Sequence, residues 1–182
     1  MIRGELVENR VVIWDIEEAR CAFKEGFYGK PLGIPKPKAP DFNAPLILDL
    51  IEGLYLAKKG RLSIYKGDAR TPVKLDVIEK ICEEEYVDFP QKFLVYKEIR
   101  EAGLIVTPGI KFGCDFAVYV HGPGIDHAPY LVEVVKPSGK MTATGVVLSG
   151  RLATTVRKQF IVAIADVKKE KVNFISFDWW RA

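Results

Sequence analysis

Both histidines of the chain fall in one short segment, 113–130, whose residue types are suited to proton transfer. His121 and His127 are six residues apart, and Tyr119 ends the alternating apolar run just before them. Residues two apart on a strand share a face, so Tyr119 and His121 are expected to point the same way. The sequence Gly-Pro-Gly at 122–124 predicts a tight, exposed turn that leads to His127. Histidine exchanges protons near neutral pH, so the segment could perform acid–base chemistry, although two exposed loop histidines without a role also fit the pattern.

A second group of candidate residues is cationic and belongs to a predicted helix over TATGVVLSGRLATTVRK, which has Leu148, Leu152 and Val156 on one side. Lys158 lies at the end of this helix and Arg151 seven residues earlier. Seven residues are close to two helical turns, so the two cations are expected to point the same way. Cations in a last helical turn also suit the helix dipole and need have no other role.

A metal-dependent alternative begins at Asp115, which is followed by the strand-like run PYLVEVVK. A nuclease core of the type D…E-x-K needs its glutamate and lysine on one face of a strand. Here two residues separate Glu133 from Lys136, so a regular strand sends them to opposite faces. The spacing therefore disfavours a metal site, and we expect none.

These residues require a sheet to bring them together, and the second half of the chain predicts one. A helix over QKFLVYKEIREAG is followed by three strands, the helix that carries Arg151, and two further strands. This order favours a mixed sheet flanked by helices, so the fold class is α/β (α+β). We expect a domain boundary near Asp88, with an N-terminal domain at 1–87 and a C-terminal domain at 88–182.

The first half predicts a smaller α/β domain with an unusual loop. The run LILDLIEGLYLAKKG predicts a helix, with Leu46, Leu50 and Leu54 four residues apart. Before it, residues 29–45 hold five of the eleven prolines, together with Lys36 and Lys38. Proline at this density predicts an extended loop, which is either a surface excursion or a functional element.

Composition narrows the class of protein without naming a function. The 182 residues carry a net charge of +3 and give a pI of 8.7, which alone does not identify a nucleic-acid binder. Three cysteines without paired spacing predict free thiols, with neither disulfides nor a zinc site. The apolar runs are too short to span a bilayer and the start lacks the layout of a signal peptide, so we expect a soluble, cytoplasmic protein.

Three separated pieces, KFGCDFAVY, HAPYLVEV and RLATTVRKQF, resemble the tRNA-splicing endonuclease family of archaeal type in order and distance. DLIEGLYLAKKGRLSIY and DFPQKFLVYKEIREAG also look like that family. The resemblance implies a metal-independent RNA endonuclease that removes introns from precursor tRNA at bulge–helix–bulge sites. The products would carry 2′,3′-cyclic phosphate and 5′-hydroxyl ends, and no cofactor would be required. The alternative is a non-catalytic RNA-binding or structural subunit of the same complex.

The resemblance also implies a catalytic set. Tyr119 ends the KFG-DF-x-x-Y block, His127 precedes the x-x-Tyr strand, and Lys158 closes the Val-Arg-Lys element. His121 has no place in the pattern, and Ala128 stands where a serine is usual. The family holds a bulge base between two flat cationic groups. Arg151 matches one of them and Trp179 lies near the other, where its indole could stack on the base instead.

Assembly is the last feature implied. The family forms tetramers in which the final strand, here including Phe174 and Phe177, pairs with that of a neighbour. Asp166 and Glu170 match its acidic docking loop. The loop over residues 29–45 resembles the crenarchaeal insertion, so Lys36 or Lys38 would contact RNA. That branch pairs the catalytic chain with a structural subunit as α₂β₂, with a homotetramer as the alternative.

Overall fold

A computed structural model of the chain describes residues 1–35, 37 and 39–177. The chain divides into two compact units. One consists of Met1–Phe89 with Pro123–Ile125, and the other contains Pro90–Gly122 and the chain from Asp126 onward. The division into domains at residues 87 and 88 stays a prediction. Among the described residues, none of the helices combines the length and the apolar composition needed to cross a membrane.

The part of the N-terminal unit that the structure describes is a five-stranded sheet with three helices. Its strands are β1 (Ile2–Val7), β2 (Arg10–Ile13), β3 (Lys30–Pro31), β4 (Leu46–Asp49) and β5 (Leu62–Tyr65), in the order β3-β4-β2-β1-β5. Its helices are α1 (Ile16–Gly26), α2 (Leu50–Lys58) and α3 (Leu75–Glu85). The β1–β5 pair is parallel and the other pairs are antiparallel.

The predicted helix beginning at Leu46 was wrong for its first four residues, which form strand β4. Leu46 and Leu48 are both fully buried because β4 pairs with β2 across Val12↔Ile47. The helix begins only after Asp49, whose side chain accepts a hydrogen bond from Ile51 N and completes a capping box with Glu52. A run of leucines fits both the period of a helix and that of a strand. The position of the N-cap, Asp49, therefore decides where the helix begins.

The C-terminal unit contains the second sheet. Its elements are α4 (Phe89–Glu101), β6 (Ile105–Pro108), a 3₁₀ turn (Ile110–Phe112), β7 (Phe116–Tyr119), β8 (Tyr130–Val135), α5 (Ala143–Thr155), β9 (Gln159–Asp166), a second 3₁₀ turn (Val167–Lys169) and β10 (Lys171–Phe177). The strand order is β10-β9-β8-β7-β6. Only β8 and β9 run parallel, and α5 connects them. The predicted α/β fold with mixed sheets and flanking helices is confirmed.

Helix α5 begins where Thr142 Oγ1 accepts a hydrogen bond from Gly145 N at 3.0 Å. The side chain that it buries is Ala153. Leu148 and Leu152 do lie on one side, but they are 60% and 44% exposed. The predicted apolar stripe is therefore an outer face of this unit, and small residues pack α5 onto the sheet.

Candidate active site

Three strand ends meet at one edge of the C-terminal sheet. β7 ends at Tyr119, while β8 begins at Tyr130 and β9 at Gln159. Val118 pairs with Tyr130, and Tyr130 pairs with Gln159, so these ends are side by side. Neighbouring strands are about 4.8 Å apart. The backbones at the end of β7 and the start of β9 are therefore about 10 Å apart across β8, within reach of long side chains.

Tyr119 and Lys158 also share one face of this edge. Ala117, Leu131 and Phe160 belong to the buried cluster beneath α5, and Tyr119 and Phe112 pack against the same cluster. The Lys158 ammonium lies 5.2 Å from the centre of the Phe112 ring. The phenol and the ammonium therefore border the same apolar cluster, although they are 39 residues apart in the chain.

A backbone contact connects Lys158 to the residue beside His127. The Lys158 ammonium donates to the Ala128 carbonyl oxygen at 2.5 Å, and Ala128 is 2% exposed. Burial lowers the pKa of Lys158 below its ordinary value, as does the charge of Lys111, while the Asp126 carboxylate acts in the opposite direction. An ammonium has three N–H donors, so the bond to Ala128 is compatible with a further contact to a phosphate oxygen.

The loop between the two predicted proton-transfer groups is organised by Asp126. Its carboxylate accepts hydrogen bonds from the backbone amides of Val120 at 3.2 Å, His121 at 3.1 Å and Gly122 at 2.8 Å. Burial raises the pKa of Asp126, but these backbone bonds outweigh it and hold the pKa below the ordinary value. Sequence reasoning missed this residue, although an aspartate that closes a glycine-rich turn directly before His127 was a usable signal.

The two histidines differ in their surroundings. His127 is exposed and lies between Asp126, which binds the loop, and Ala128, which binds Lys158. His121 is also exposed, and its backbone amide donates to the Asp126 carboxylate. The structure therefore fixes the backbone on both sides of His127.

The predicted position of Lys158 on a helix was wrong. α5 ends at Thr155, and Arg157 adopts a left-handed conformation with φ 56°. Lys158 lies in the link to β9 and its amide donates to Ala153 O at 2.8 Å. Arg151 and Lys158 are therefore not two turns apart on one helix, and Arg151 is an exposed residue of α5.

The carboxylates considered for a metal site have protein partners. Asp115 pairs with Lys92 at 2.8 Å and accepts a hydrogen bond from Val134 N at 2.7 Å. Burial raises the pKa of Glu133, and the charge of Asp115 raises it further. Lys136 lies beyond the end of β8. Within the part of the chain that the structure describes, no three His, Cys, Asp or Glu side chains form a group that could hold a metal ion.

The residues predicted to contact a neighbouring subunit lie on β10 or on either side of the 3₁₀ turn that precedes it. β10 is an edge strand of the described sheet, and Phe174 and Phe177 are 47% and 38% exposed. Asp166 is engaged locally, since its carboxylate accepts from Lys169 N at 3.3 Å and lies 3.4 Å from the Lys169 ammonium. Glu170 is an exposed residue with φ 47°. Trp179, Lys36 and Lys38 lie outside the described residues.

Comparison with known proteins identifies the family. The N-terminal domain of the tRNA intron endonuclease family matches residues 2–75, and its catalytic C-terminal domain matches residues 89–174. A tRNA-splicing endonuclease of Sulfurisphaera tokodaii is 42% identical over 97% of both chains. One from Hyperthermus butylicus is 39% identical and one from Saccharolobus islandicus 38% identical, each over 98% of both chains. The chain belongs to the tRNA intron endonuclease family, and the predictions of family and of enzyme class, a tRNA-intron endonuclease, are confirmed.

Proposed function

We propose that this chain is the catalytic subunit of a metal-independent endonuclease that cuts precursor tRNA at bulge–helix–bulge sites. The supporting observation is the sheet edge at which Tyr119 and Lys158 border one apolar cluster while Lys158 binds the residue next to His127. The archaeal tRNA-splicing endonucleases that match nearly the whole chain support precursor tRNA as the substrate. We also propose that the chain acts in the cytoplasm.

The reaction uses the nucleophile that RNA carries. His127 removes the proton of the 2′-hydroxyl, the 2′-oxygen forms a bond to phosphorus, and the bond from phosphorus to the 5′-oxygen breaks. Tyr119 donates its phenolic proton to the departing 5′-oxygen. Lys158 stabilises the charge that develops on the phosphate oxygens. The products carry a 2′,3′-cyclic phosphate and a 5′-hydroxyl group, and the proton taken by His127 balances the one given by Tyr119.

The lowered pKa of Lys158 bears on this role. Burial disfavours the charged ammonium, whereas a bound phosphate would restore a partner of opposite charge. Electrostatic stabilisation is strongest from a group that is fixed before the charge develops. The bond to Ala128 O holds the Lys158 ammonium in this way.

RNA recognition in the proposal uses Arg151 together with Trp179 as the two flat groups around a bulge base, and Lys36 or Lys38 as a contact from the loop. Arg151 is exposed on α5. A guanidinium and an indole both stack on nucleobases, so a pair of this kind would hold a base without reading its identity.

The proposed assembly is α₂β₂, with this chain paired to a structural subunit through β10. The exposed Phe174 and Phe177 on an edge strand support such a contact. Asp166 and Glu170, one on each side of the turn before β10, remain the proposed docking residues. Mass measurement of the chain alone and with its co-purifying partner tests the assembly, and a fully active homotetramer would contradict it.

The catalytic assignment is tested with His127→Ala. We expect the variant to bind a bulged precursor with nearly unchanged affinity and to lose cleavage by about 10²–10⁴-fold, the usual contribution of a general acid or base. His121→Ala is the matched control and should cleave normally. Equal losses of binding and cleavage in His127→Ala would instead favour the alternative, a non-catalytic RNA-binding subunit.

A further inference from the structure

A cavity of about 320 Å³ belongs wholly to the N-terminal unit and has no part in the proposed chemistry. Its lining consists of Glu25, Tyr28, Tyr55, Leu56, Lys59 and Arg61. The volume is at the lower end of the range of ligand pockets, about 300–1,000 Å³. The size therefore suits a single nucleotide.

The aromatic wall of the cavity is two stacked rings. Tyr28 and Tyr55 have centroids 6.3 Å apart and an angle of 30° between their planes. Tyr28 lies directly on the backbone of Gly26, where an added Cβ would be 2.8 Å from its ring. Tyr55 is 7% exposed and Tyr28 is half-buried, so Tyr28 is the more exposed of the two tyrosines.

A buried carboxylate holds this wall in position. Glu52 is 4% exposed and accepts a hydrogen bond from Gly29 N at 3.1 Å. Gly29 follows Tyr28 in the chain, and Glu52 lies one helical turn before Tyr55 on α2. Gly29 also has φ +69° and no room for a Cβ, which would approach Ile47 O to 2.7 Å. The rings are thus fixed through the backbone that carries them.

Apart from Leu56, the remaining lining residues are charged: the cations Lys59 and Arg61 and the carboxylate Glu25. The Lys59 ammonium is 5.6 Å from the centre of the Tyr55 ring. Arg61 pairs with Glu25 at 2.5 Å and its side chain is 55% exposed. An aromatic surface beside cations is the combination that binds single-stranded nucleic acid, because a base stacks on the ring and its phosphate meets the cations.

The cavity lies at the start of the proline-rich loop over residues 29–45, within the same unit. Tyr28 directly precedes residues 29–45, and the base of that loop is closed by the pair Lys30↔Ile47 and by Leu32 N donating to Pro45 O at 2.8 Å. An RNA strand held by the loop would therefore pass the cavity. We infer that the cavity binds one unpaired nucleotide of the precursor tRNA, with its base on Tyr28 and its phosphate on Lys59 and Arg61. This inference rests on the proposed function, which supplies the RNA.

Adjacent lysines provide a matched pair of variants. Lys58 precedes Lys59 in the chain but pairs with Glu79 of α3, so Lys58→Ala and Lys59→Ala remove the same charge from different surroundings. Affinity for a bulged precursor is measured across a series of salt concentrations, using the chain with any partner that it requires. Every protein also carries His127→Ala, so that the precursor is bound without being cleaved. Lys59→Ala should lower the salt slope of log K by about 0.7–0.9, and Lys58→Ala should leave it unchanged.

The base contact is tested separately at Tyr28. Loss of one stacking contact corresponds to about 5–150-fold weaker binding. We expect this loss for Tyr28→Leu and no loss for Tyr28→Phe, which keeps the ring. Thermal unfolding checks that both variants are folded. Equal salt slopes for the two lysine variants, or equal affinities for the two tyrosine variants, would overturn the inference. Binding of free AMP that Lys59→Ala abolishes, with unchanged precursor affinity, would overturn the assignment to RNA. Failure of the wild-type chain to cleave the precursor would instead count against the proposed function.

Discussion

Replacement of Asp126 by asparagine tests whether the loop between Tyr119 and His127 is preorganised. One carboxylate oxygen accepts from Gly122 N, and the other accepts from both Val120 N and His121 N. Asparagine has one acceptor oxygen and one amide group that only donates. Either orientation of the new side chain therefore loses at least one backbone bond and places an N–H against an N–H, in nearly the same volume.

The size of the effect follows from these bonds. A hydrogen bond to a charged group contributes about 1.5–3 kcal/mol, and the two longer bonds, at 3.2 and 3.1 Å, are exposed to water. We expect a loss of about 1–3 kcal/mol, because one strong bond and the charge are removed while solvent replaces part of the rest. If that energy holds His127 in place for reaction, kcat falls by about 5–150-fold, since about 1.4 kcal/mol corresponds to tenfold in rate.

The assay is single-turnover cleavage of a bulged precursor tRNA with enzyme in excess, together with RNA affinity and thermal unfolding. Asp126→Asn should lower the cleavage rate while affinity stays within about twofold, as expected of a residue that positions another. His121→Ala is the control, because it removes an exposed side chain and leaves its backbone amide to bind Asp126. A normal cleavage rate in folded Asp126→Asn would show that the bonds of Asp126 do not hold His127 in place for reaction.

Three further predictions concern stability, thiol access and assembly. Glu133→Gln should raise the melting temperature at pH 7 and make no difference at pH 3, because a carboxyl whose folded pKa is raised destabilises the protein only where it is ionised; a lower melting temperature at pH 7 would contradict this. In the native chain a thiol reagent at pH 8 should modify the exposed Cys21 quickly, since burial raises the pKa of Cys82 to about 12 and that of Cys114 to about 11; three equally fast thiols would be incompatible with that burial. Phe174→Lys should reduce the mass of the native assembly without unfolding the chain, and an unchanged mass would exclude β10 from the main contact.

Much of the C-terminal sheet could be predicted because its strands are short apolar runs between turn residues. The alternation that ends at Tyr119 identified β7, and the glycines at 122 and 124 marked the turn. The run QFIVAIAD became β9, whose Ala163 and Ala165 are fully buried. Local periodicity is enough to predict these short strands, because their apolar runs fit the burial pattern of one kind of element.

What the sequence could not predict depends on distant partners. Leu46–Asp49 formed a strand because β2 was available to pair with it. Lys158 left the helix because Arg157 turned left-handed and Lys158 N reached back to Ala153 O. The bond from Lys158 to Ala128 O spans 30 residues, and no local pattern encodes it. Asp126 acts through three backbone amides, and the local signal for this role was its position at the end of a glycine-rich turn.

Metal-independent cleavage by the 2′-hydroxyl is tested by the end chemistry of the products formed in excess EDTA. A bulged precursor and a copy with a single 2′-deoxy substitution at the scissile nucleotide are incubated with the wild-type chain and any partner it requires. We expect a 2′,3′-cyclic phosphate and a 5′-hydroxyl from the first RNA and no cleavage of the second. Cleavage of the deoxy substrate, or activity that disappears with the metal, would contradict the assignment of Tyr119, His127 and Lys158.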